Sequence, residues 1–338
     1  MNVLIISPTQ LGIGGISQHI QGLKNFLEKH EHKVEIISSE NTFTIPIKGL
    51  KNPSFMISSF FKSKLKKNQD IVHAHNIPAA LAMKNTSGKK ILSLHGIFSQ
   101  QINELHGKQT GNISKKYEKN ALTWADAITV VSKEAYDYYT NLGYNVFQIP
   151  NAIDFSSLTS KIDRRYDKQI IFVGRLSREK GIDNLISISK KLSNDVHLII
   201  LGTGPEEQKI IDLVKNYKNI HFFGYQKKEE TISLIRGSDI LIQPSLNEGI
   251  SSTILEAMAC KTIVITTNVG GNKELIINEE TGFLLSINSD LFIEKINYIF
   301  THQTKLEKII NNAFRFAQQY DWNEVGKKYL KLYEKLLD

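Results

Sequence analysis

Two glutamates eight positions apart, Glu248 and Glu256, are the residues of this chain whose type and spacing most clearly suit chemistry. They fall in residues 241–277, LIQPSLNEGISSTILEAMACKTIVITTNVGGNKELII. A carboxylate pair can serve as the acid and nucleophile of a glycosidase. Eight helical residues, however, span about 12 Å, beyond the roughly 5–9.5 Å that such pairs require. A plainer reading makes Thr253-x-x-Glu256 a capping box and Glu248 a solvated loop acid. The elements around the pair narrow the choice. Apolar 240–242 ends at Pro244, a polar loop carries Glu248 and Gly249, a helical run covers 252–260, and 263–267 returns to strand before Gly270-Gly271. This is one βαβ unit. Its first loop opens at the C-terminal edge of a parallel sheet, with a helix N-terminus behind it, so the amides of Gly249, Ile250, Ser251 and Ser252 suit an anion such as a diphosphate.

Other candidates stand at equivalent places. Strand 169–174 enters the loop Arg175-Leu176-Ser177-Arg178-Glu179-Lys180-Gly181, from which Arg175 and Lys180 can reach a ligand, although solvated cations are the usual fate of such residues. The first strand, 2–7, runs into Gly12-Ile13-Gly14-Gly15 and a helix from about Ser17. No full G-x-G-x-x-G is present, so a phosphate cradle and a plain tight turn both remain open. Strands 70–75 and 90–95 carry His73, His75 and His95. Two histidines on one strand face invite a metal, but no acid lies near enough in sequence to complete a site. Cys260, the only cysteine, reads as filler of an apolar helix.

Length and composition set the frame. The 338 residues suggest two domains, each able to bury a core, and 41% hydrophobic with 22% charged residues is ordinary for a globular protein. No apolar run approaches the roughly 18 residues of a membrane span, and the N-terminus enters a strand without a basic leader, so a cytoplasmic location is expected. Alternating strands and helices divide the chain into a domain over 1–155, a polar linker over 156–168, a second domain over 169–320 and a periodic terminal helix over 321–338 expected to pack back on the first domain. The expected fold class is α/β with two Rossmann-like domains.

The net charge of +8 lies mostly in the first 158 residues, with 17 Lys+Arg against 11 Asp+Glu. Residues 41–69 contain Lys48, Lys51, Lys62, Lys64, Lys66 and Lys67 and no acid, with Ile57, Phe60, Phe61 and Leu65 at helical spacing. Two readings stand: a basic amphipathic helix on an anionic membrane, which would put the protein at the inner membrane surface, or a helix whose apolar side packs on the sheet. The same charge motivates nucleic-acid binding, but no recognised motif accompanies it, and no nucleic-acid partner is expected.

The segment 248–259, EGISSTILEAMA, with the flanking proline, GG and EL, resembles the E-x7-E signature of the family 4 retaining glycosyltransferases. GRLSREKG at 174–181 matches the family's GR-L-x-x-x-KG. The early GG, HAH at 73–75, LHG at 94–96 and PNAID at 150–154 are similar to further family motifs. Lys261 and Ile263 depart from it where glycine and proline are usual, which bears on the turn leaving the helix. The resemblance implies a GT-B fold of two domains facing across a cleft, and transfer of a sugar from a nucleoside diphosphate sugar, UDP- or GDP-type, to a hydroxyl acceptor such as a lipid-linked or cell-surface glycan precursor, without metal or cofactor. It implies that Arg175 and Lys180 neutralise the diphosphate and that Glu256 binds the ribose. Glu248 and His95 would meet the sugar, Gly14 and Gly15 would lie beside diphosphate and sugar, and the loop from Gly249 to Thr253 would line the donor. Gly224 and Tyr225 would bracket the base, although Tyr225 reads equally as a surface aromatic. A nucleotide-sugar epimerase on the same architecture is the alternative enzyme.

Overall fold

The structure is a computed structural model that describes residues 1–10, 14–47, 49–98 and 108–338, without the side chains of 108–114 and 303–305. Gly12 and Ile13 of the glycine turn, and Lys48, lie outside the described residues. The chain forms two compact units, Met1–Ala152 together with Trp322–Asp338, and Ile153–Asp321.

The first unit is built on a parallel sheet in the order β2-β1-β3-β4-β5-β6. Its strands are β1 (Asn2–Ser7), β2 (Lys33–Ser38), β3 (Ile71–His75), β4 (Lys89–Leu94), β5 (Ala127–Val130) and β6 (Val146–Gln148). Around it lie α1 (Gly15–Lys29), α2 (Lys51–Ser63), α3 (Ile77–Met83), α4 (Lys108–Leu122), α5 (Lys133–Asn141) and the terminal helix, here α13 (Trp322–Leu337). The unbroken apolar run of β1 follows from burial on both faces. Leu4 and Ile6 join a core with Phe55 of α2 and the apolar side of α3, whereas Val3 and Ile5 join another with α1 and α13. On α13, Val325, Tyr329, Leu332 and Tyr333 are the buried stripe. Small residues let α1 and α13 approach closely: a Cβ on Gly22 would fall 2.0 Å from Trp322 Nε1, and one on Gly326 2.5 Å from the Phe26 ring. Strand β6 is shorter than 145–150 because Ile149 N–H still reaches Val130 O but Pro150 has no N–H to continue the ladder. Helix α4 begins and ends earlier than 112–125.

The second unit has strands β7 (Gln169–Val173), β8 (His197–Leu201), β9 (Ile220–Gly224), β10 (Ile240–Gln243), β11 (Ile263–Thr267) and β12 (Phe283–Leu285), all parallel, in the order β12-β11-β10-β7-β8-β9. Its helices are α6 (Ile182–Ser189), α7 (Glu207–Asn216), α8 (Lys228–Gly237), α9 (Ser252–Ala259), α10 (Asn272–Leu275), α11 (Ser289–Thr301) and α12 (Gln303–Gln318). Residues 156–168, read from sequence as a linker, are bound into this unit. Asp163 N–H donates to Ser233 O, Arg164 pairs with Asp239 at 2.9 Å, and Arg236 Nε donates to Thr159 O. Each sheet reverses its strand order beside its first strand, between β1 and β3 in one and between β7 and β10 in the other. In open α/β sheets these are the places where ligands bind.

Candidate functional site

The reversal in the second sheet puts the loops after β7 and β10 side by side, and backbone contacts lock them together. Leu246 N–H donates to Glu179 O at 2.8 Å, and the third loop, after β11, joins through Gly271 N–H to Glu248 O at 3.0 Å. Three glycines permit this approach. A Cβ would fall 1.8 Å from Pro244 O at Gly181, 1.9 Å from Glu248 O at Gly270 and 2.1 Å from Gly249 O at Gly271. Gly181 also has φ 71, a left-handed conformation that side chains disfavour. Gly181→Ala is therefore expected to lose about 2 kcal/mol or more of stability and to part the two loops. A melting temperature within a degree of the parent would refute this account of the turn.

Within this frame Glu248 is the hub. Its Oε1 accepts from Lys180 Nζ at 2.5 Å, Gln243 Nε2 at 2.5 Å and Ser245 Oγ at 2.9 Å, and its side chain is only 7% exposed. It is not a solvated loop acid. Gln243 Oε1 in turn accepts from Ser251 Oγ at 3.1 Å, so one amide braces both the carboxylate and the start of α9. Gln243 and Ser245 were missed in the sequence; their signal was their place at the end of a strand, beside Pro244. Arg175 is exposed and forms no ion pair among the described residues.

Glu256 is not part of a capping box. The N-cap of α9 is Ser251, whose Oγ accepts from Ile254 N, which leaves Glu256 at the fifth helical position. It is buried, and its Oε1 is paired with Lys228 Nζ at the start of α8. A buried carboxylate inside a helix needs such a partner, and Lys228 was a third residue missed in the sequence. Cys260, at the far end of α9, is buried, and burial pushes its thiol up to about 11, as befits core filler. At the end of β9, Gly224 has φ 63 and Tyr225 is exposed. Ile250 and Ser251 are buried, while Gly249, Ser252 and Thr253 are partly open.

The first unit holds the remaining candidates. Gly14, with φ 146, is the N-cap of α1, and both Gly14 and Gly15 are exposed. The reversal between β1 and β3 gathers four imidazoles. His75 Nδ1 lies 3.3 Å from His95 Nε2, the His73 and His75 rings stack at 4.3 Å, and His19 packs edge-on to His95 at 5.2 Å. His73 spends both nitrogens on Tyr333 Oη and Ser93 Oγ, and His19 Nε2 contacts Tyr329 Oη, so the terminal helix completes the cluster. Among the described residues no three His, Cys, Asp or Glu are arranged to hold a metal ion. His19 had no sequence signal; helix α1 delivers it.

Burial, followed by the charge of neighbouring imidazoles, holds His19, His73 and His75 far below their ordinary value, His73 at about 3. Burial alone lowers His95 to about 4, opposed by a hydrogen bond to Asn151. The unfolded chain takes up these protons near pH 6.5, whereas the folded one resists until well below that, to about pH 4 for His95 and about pH 3 for His73, so stability must fall as pH drops below 6.5. The expected slope is up to about 1.4 kcal/mol per pH unit for each histidine. Melting temperatures at pH 7.0, 6.0 and 5.0 should decline steadily, and less steeply in His73→Asn. An unchanged melting temperature over that range would show that the cluster protonates without cost.

Residues 13–157 match the Glycosyltransferase Family 4 profile, and residues 160–316 match that of the Glycosyl transferases group 1. The chain is a group 1, family 4 glycosyltransferase. An uncharacterized glycosyltransferase of Methanocaldococcus jannaschii is 28% identical, over 100% of this chain and 99% of its own. The phosphatidylinositol N-acetylglucosaminyltransferase GPI3 subunit of Saccharomyces cerevisiae (strain YJM789) is 25% identical, over 95% of this chain and 80% of its own. The crystal structure of Anabaena HepE in complex with UDP and glucose covers 99% of this chain and 100% of that one, with a TM-score of 0.77 and 19% identity. This glycosyltransferase thus has the GT-B fold, two Rossmann-like units in one chain. No helix among its described residues is long and apolar enough to cross a membrane.

Proposed function

We propose that this glycosyltransferase moves a sugar, with retention of anomeric configuration, from a UDP- or GDP-type nucleotide sugar to a hydroxyl acceptor in glycan biosynthesis. The observation that carries the reading is the loop pair at the β7–β10 reversal, where Lys180 sits on Glu248 beside an exposed Arg175 and the first amides of α9. As the anomeric bond breaks, negative charge grows on the departing diphosphate. Lys180, held on Glu248, and helix N-terminal amides stabilise that charge without reorganising, Arg175 adds a second cation, and the reading calls on no metal or cofactor. Glu248, held by three donors, presents its carboxylate to sugar hydroxyls, and Glu256 takes the ribose. Gly224 and Tyr225 border the base. His95 and the Gly14-Gly15 turn act on the sugar and diphosphate.

With Glu248 assigned to sugar hydroxyls and no residue assigned as a nucleophile, the mechanism that goes with retention is front-side attack. The acceptor oxygen bonds to the anomeric carbon as the phosphate oxygen leaves and takes the acceptor proton. HepE was crystallised with UDP and glucose, and the GPI3 subunit is named for transfer of N-acetylglucosamine, which supports a UDP-type donor.

Thermal-shift titration with UDP- and GDP-sugars, followed by NMR of the product formed on lipid and soluble acceptors, tests the reading. Stabilisation by one nucleotide class and an anomeric configuration equal to the donor's are expected. Inversion would exclude the mechanism. Isomerisation of the donor with no acceptor present would favour the epimerase.

A further inference from the structure

Helix α2 carries apolar side chains on its outer side as well as its inner one. The residues it buries are Phe55 and two serines, Ser59 and Ser63; the Ser63 hydroxyl donates to Ala82 O of α3 at 2.8 Å. Met56 and Phe60 are half-buried, and further apolar side chains point away. Ile57 and Phe61 are exposed, and Leu65, just past the helix, is 79% exposed. With Leu50 they follow one another at seven and four positions, a single outward stripe. The preceding segment widens it. Ser58 Oγ donates to Phe43 O at 2.6 Å and Ile45 N–H to Ser54 Oγ at 2.9 Å, which lays residues 43–45 along the helix and adds Phe43, 75% exposed, and Ile47. Soluble surfaces rarely gather large apolar side chains in this way without a partner.

The charges around the stripe are all of one sign. Residues 41–69 contain no acid. Lys51 and Lys67 are exposed and pair with no carboxylate among the described residues, and Lys64 Nζ lies 4.5 Å from the Phe60 ring centroid. Lys62 is tied to Asn41 and Lys66 to Glu35, so these two hold local structure.

We propose that this face, centred on Ile57, Phe61 and Leu65 and ringed by Lys51, Lys64 and Lys67, docks the enzyme on an anionic lipid bilayer. Aromatic and aliphatic side chains would enter the headgroup boundary while the lysines meet lipid phosphates. A second copy of the chain fits less well, because a two-fold contact would bring the two sets of lysines together. The inference is independent of the reaction assigned to the other unit, since it concerns attachment alone.

Sedimentation with vesicles tests it. The full chain should bind phosphatidylglycerol-containing vesicles at low salt, bind phosphatidylcholine vesicles poorly, and release as salt screens the charges. Lys51, Lys64 and Lys67 changed together to Gln, and separately Phe61→Ser with Leu65→Ser, should each weaken binding by at least about ten-fold. Far-ultraviolet circular dichroism and the UDP thermal shift, measured on the same samples, should be unchanged by either set. No binding by the parent, or equal binding by parent and variants, overturns the proposal. So does self-association of the parent that Phe61→Ser with Leu65→Ser abolishes, which would make the face a dimer contact. Vesicle binding without any nucleotide response would sustain this inference and sink the proposed reaction.

Discussion

Lys180→Ala is expected to lower kcat by two to three orders of magnitude, the largest loss of any single substitution in the loop pair. A donor aimed at charge that develops in the transition state is worth about 2–4 kcal/mol. The structure adds a second cost. Among the described residues Lys180 is the one cation on Glu248, so its removal leaves that carboxylate with two neutral donors, Gln243 and Ser245, close to where a diphosphate would sit. Arg175→Ala should cost less, because Arg175 is exposed and neutralises no protein charge that its loss would strand. The pairing also makes a non-additive result testable. Lys180→Ala combined with Glu248→Gln should lose less activity than the sum of the two single changes, because the second removes the charge stranded by the first. Turnover at saturating donor, alongside calorimetric affinity for the nucleoside diphosphate, decides it. Parent-like turnover in Lys180→Ala would remove the diphosphate from this loop pair.

The second large effect separates the two glutamates. Glu248→Ala should depress turnover strongly while leaving affinity for the free nucleoside diphosphate within a few-fold, because its partner would be the sugar. Glu256→Ala should act mainly on affinity. Loss of a charged hydrogen bond to the ribose is worth about 1.5–3 kcal/mol, or roughly ten- to a hundred-fold in Kd. Glu256 is also the buried partner of Lys228, so a fall in melting temperature should accompany the affinity loss, and Glu256→Gln should recover part of the stability. Glu248→Ala with nucleotide affinity as damaged as that of Glu256→Ala would mean that the assigned roles are wrong.

How far the site could be read from the chain depended on what kind of signal each residue carried. The placement of Glu248, Arg175 and Lys180 at strand exits and of Glu256 in the following helix was legible, because strand, loop and helix are written in local hydrophobic period and turn residues. Gln243, Ser245 and Lys228 were not. Their importance lies in which carboxylate they touch: Lys228, at the start of α8, is 28 residues from Glu256, and Gln243 and Ser245 meet Glu248 only because the loop after β10 folds back on its own strand end. The plainer reading of Thr253-x-x-Glu256 fails because a capping box needs its first residue at the N-cap, and Ser251 took that place. Helix α2 shows the limit of periodicity. Its apolar spacing is real, but spacing gives the existence of apolar positions and not which of them the sheet covers: Phe55 enters the core, whereas Ile57 and Phe61 stay exposed.

By itself, the sequence determined that the chain alternates strands and helices, that its strands are buried on both faces, and that a βαβ unit carries two acids behind a helix N-terminus. These properties are local, encoded within a dozen residues by period, glycine and proline. The tertiary structure alone decided the strand order, and so which loops became neighbours: β7 beside β10, with Lys180 on Glu248, and β1 beside β3, with His19 among three strand histidines capped by tyrosines more than 250 residues away. It also decided that residues 156–168, read from sequence as a linker, belong to the second unit. Sheet order follows from how helices on two faces share the apolar area of many strands at once, and no window of sequence contains that competition.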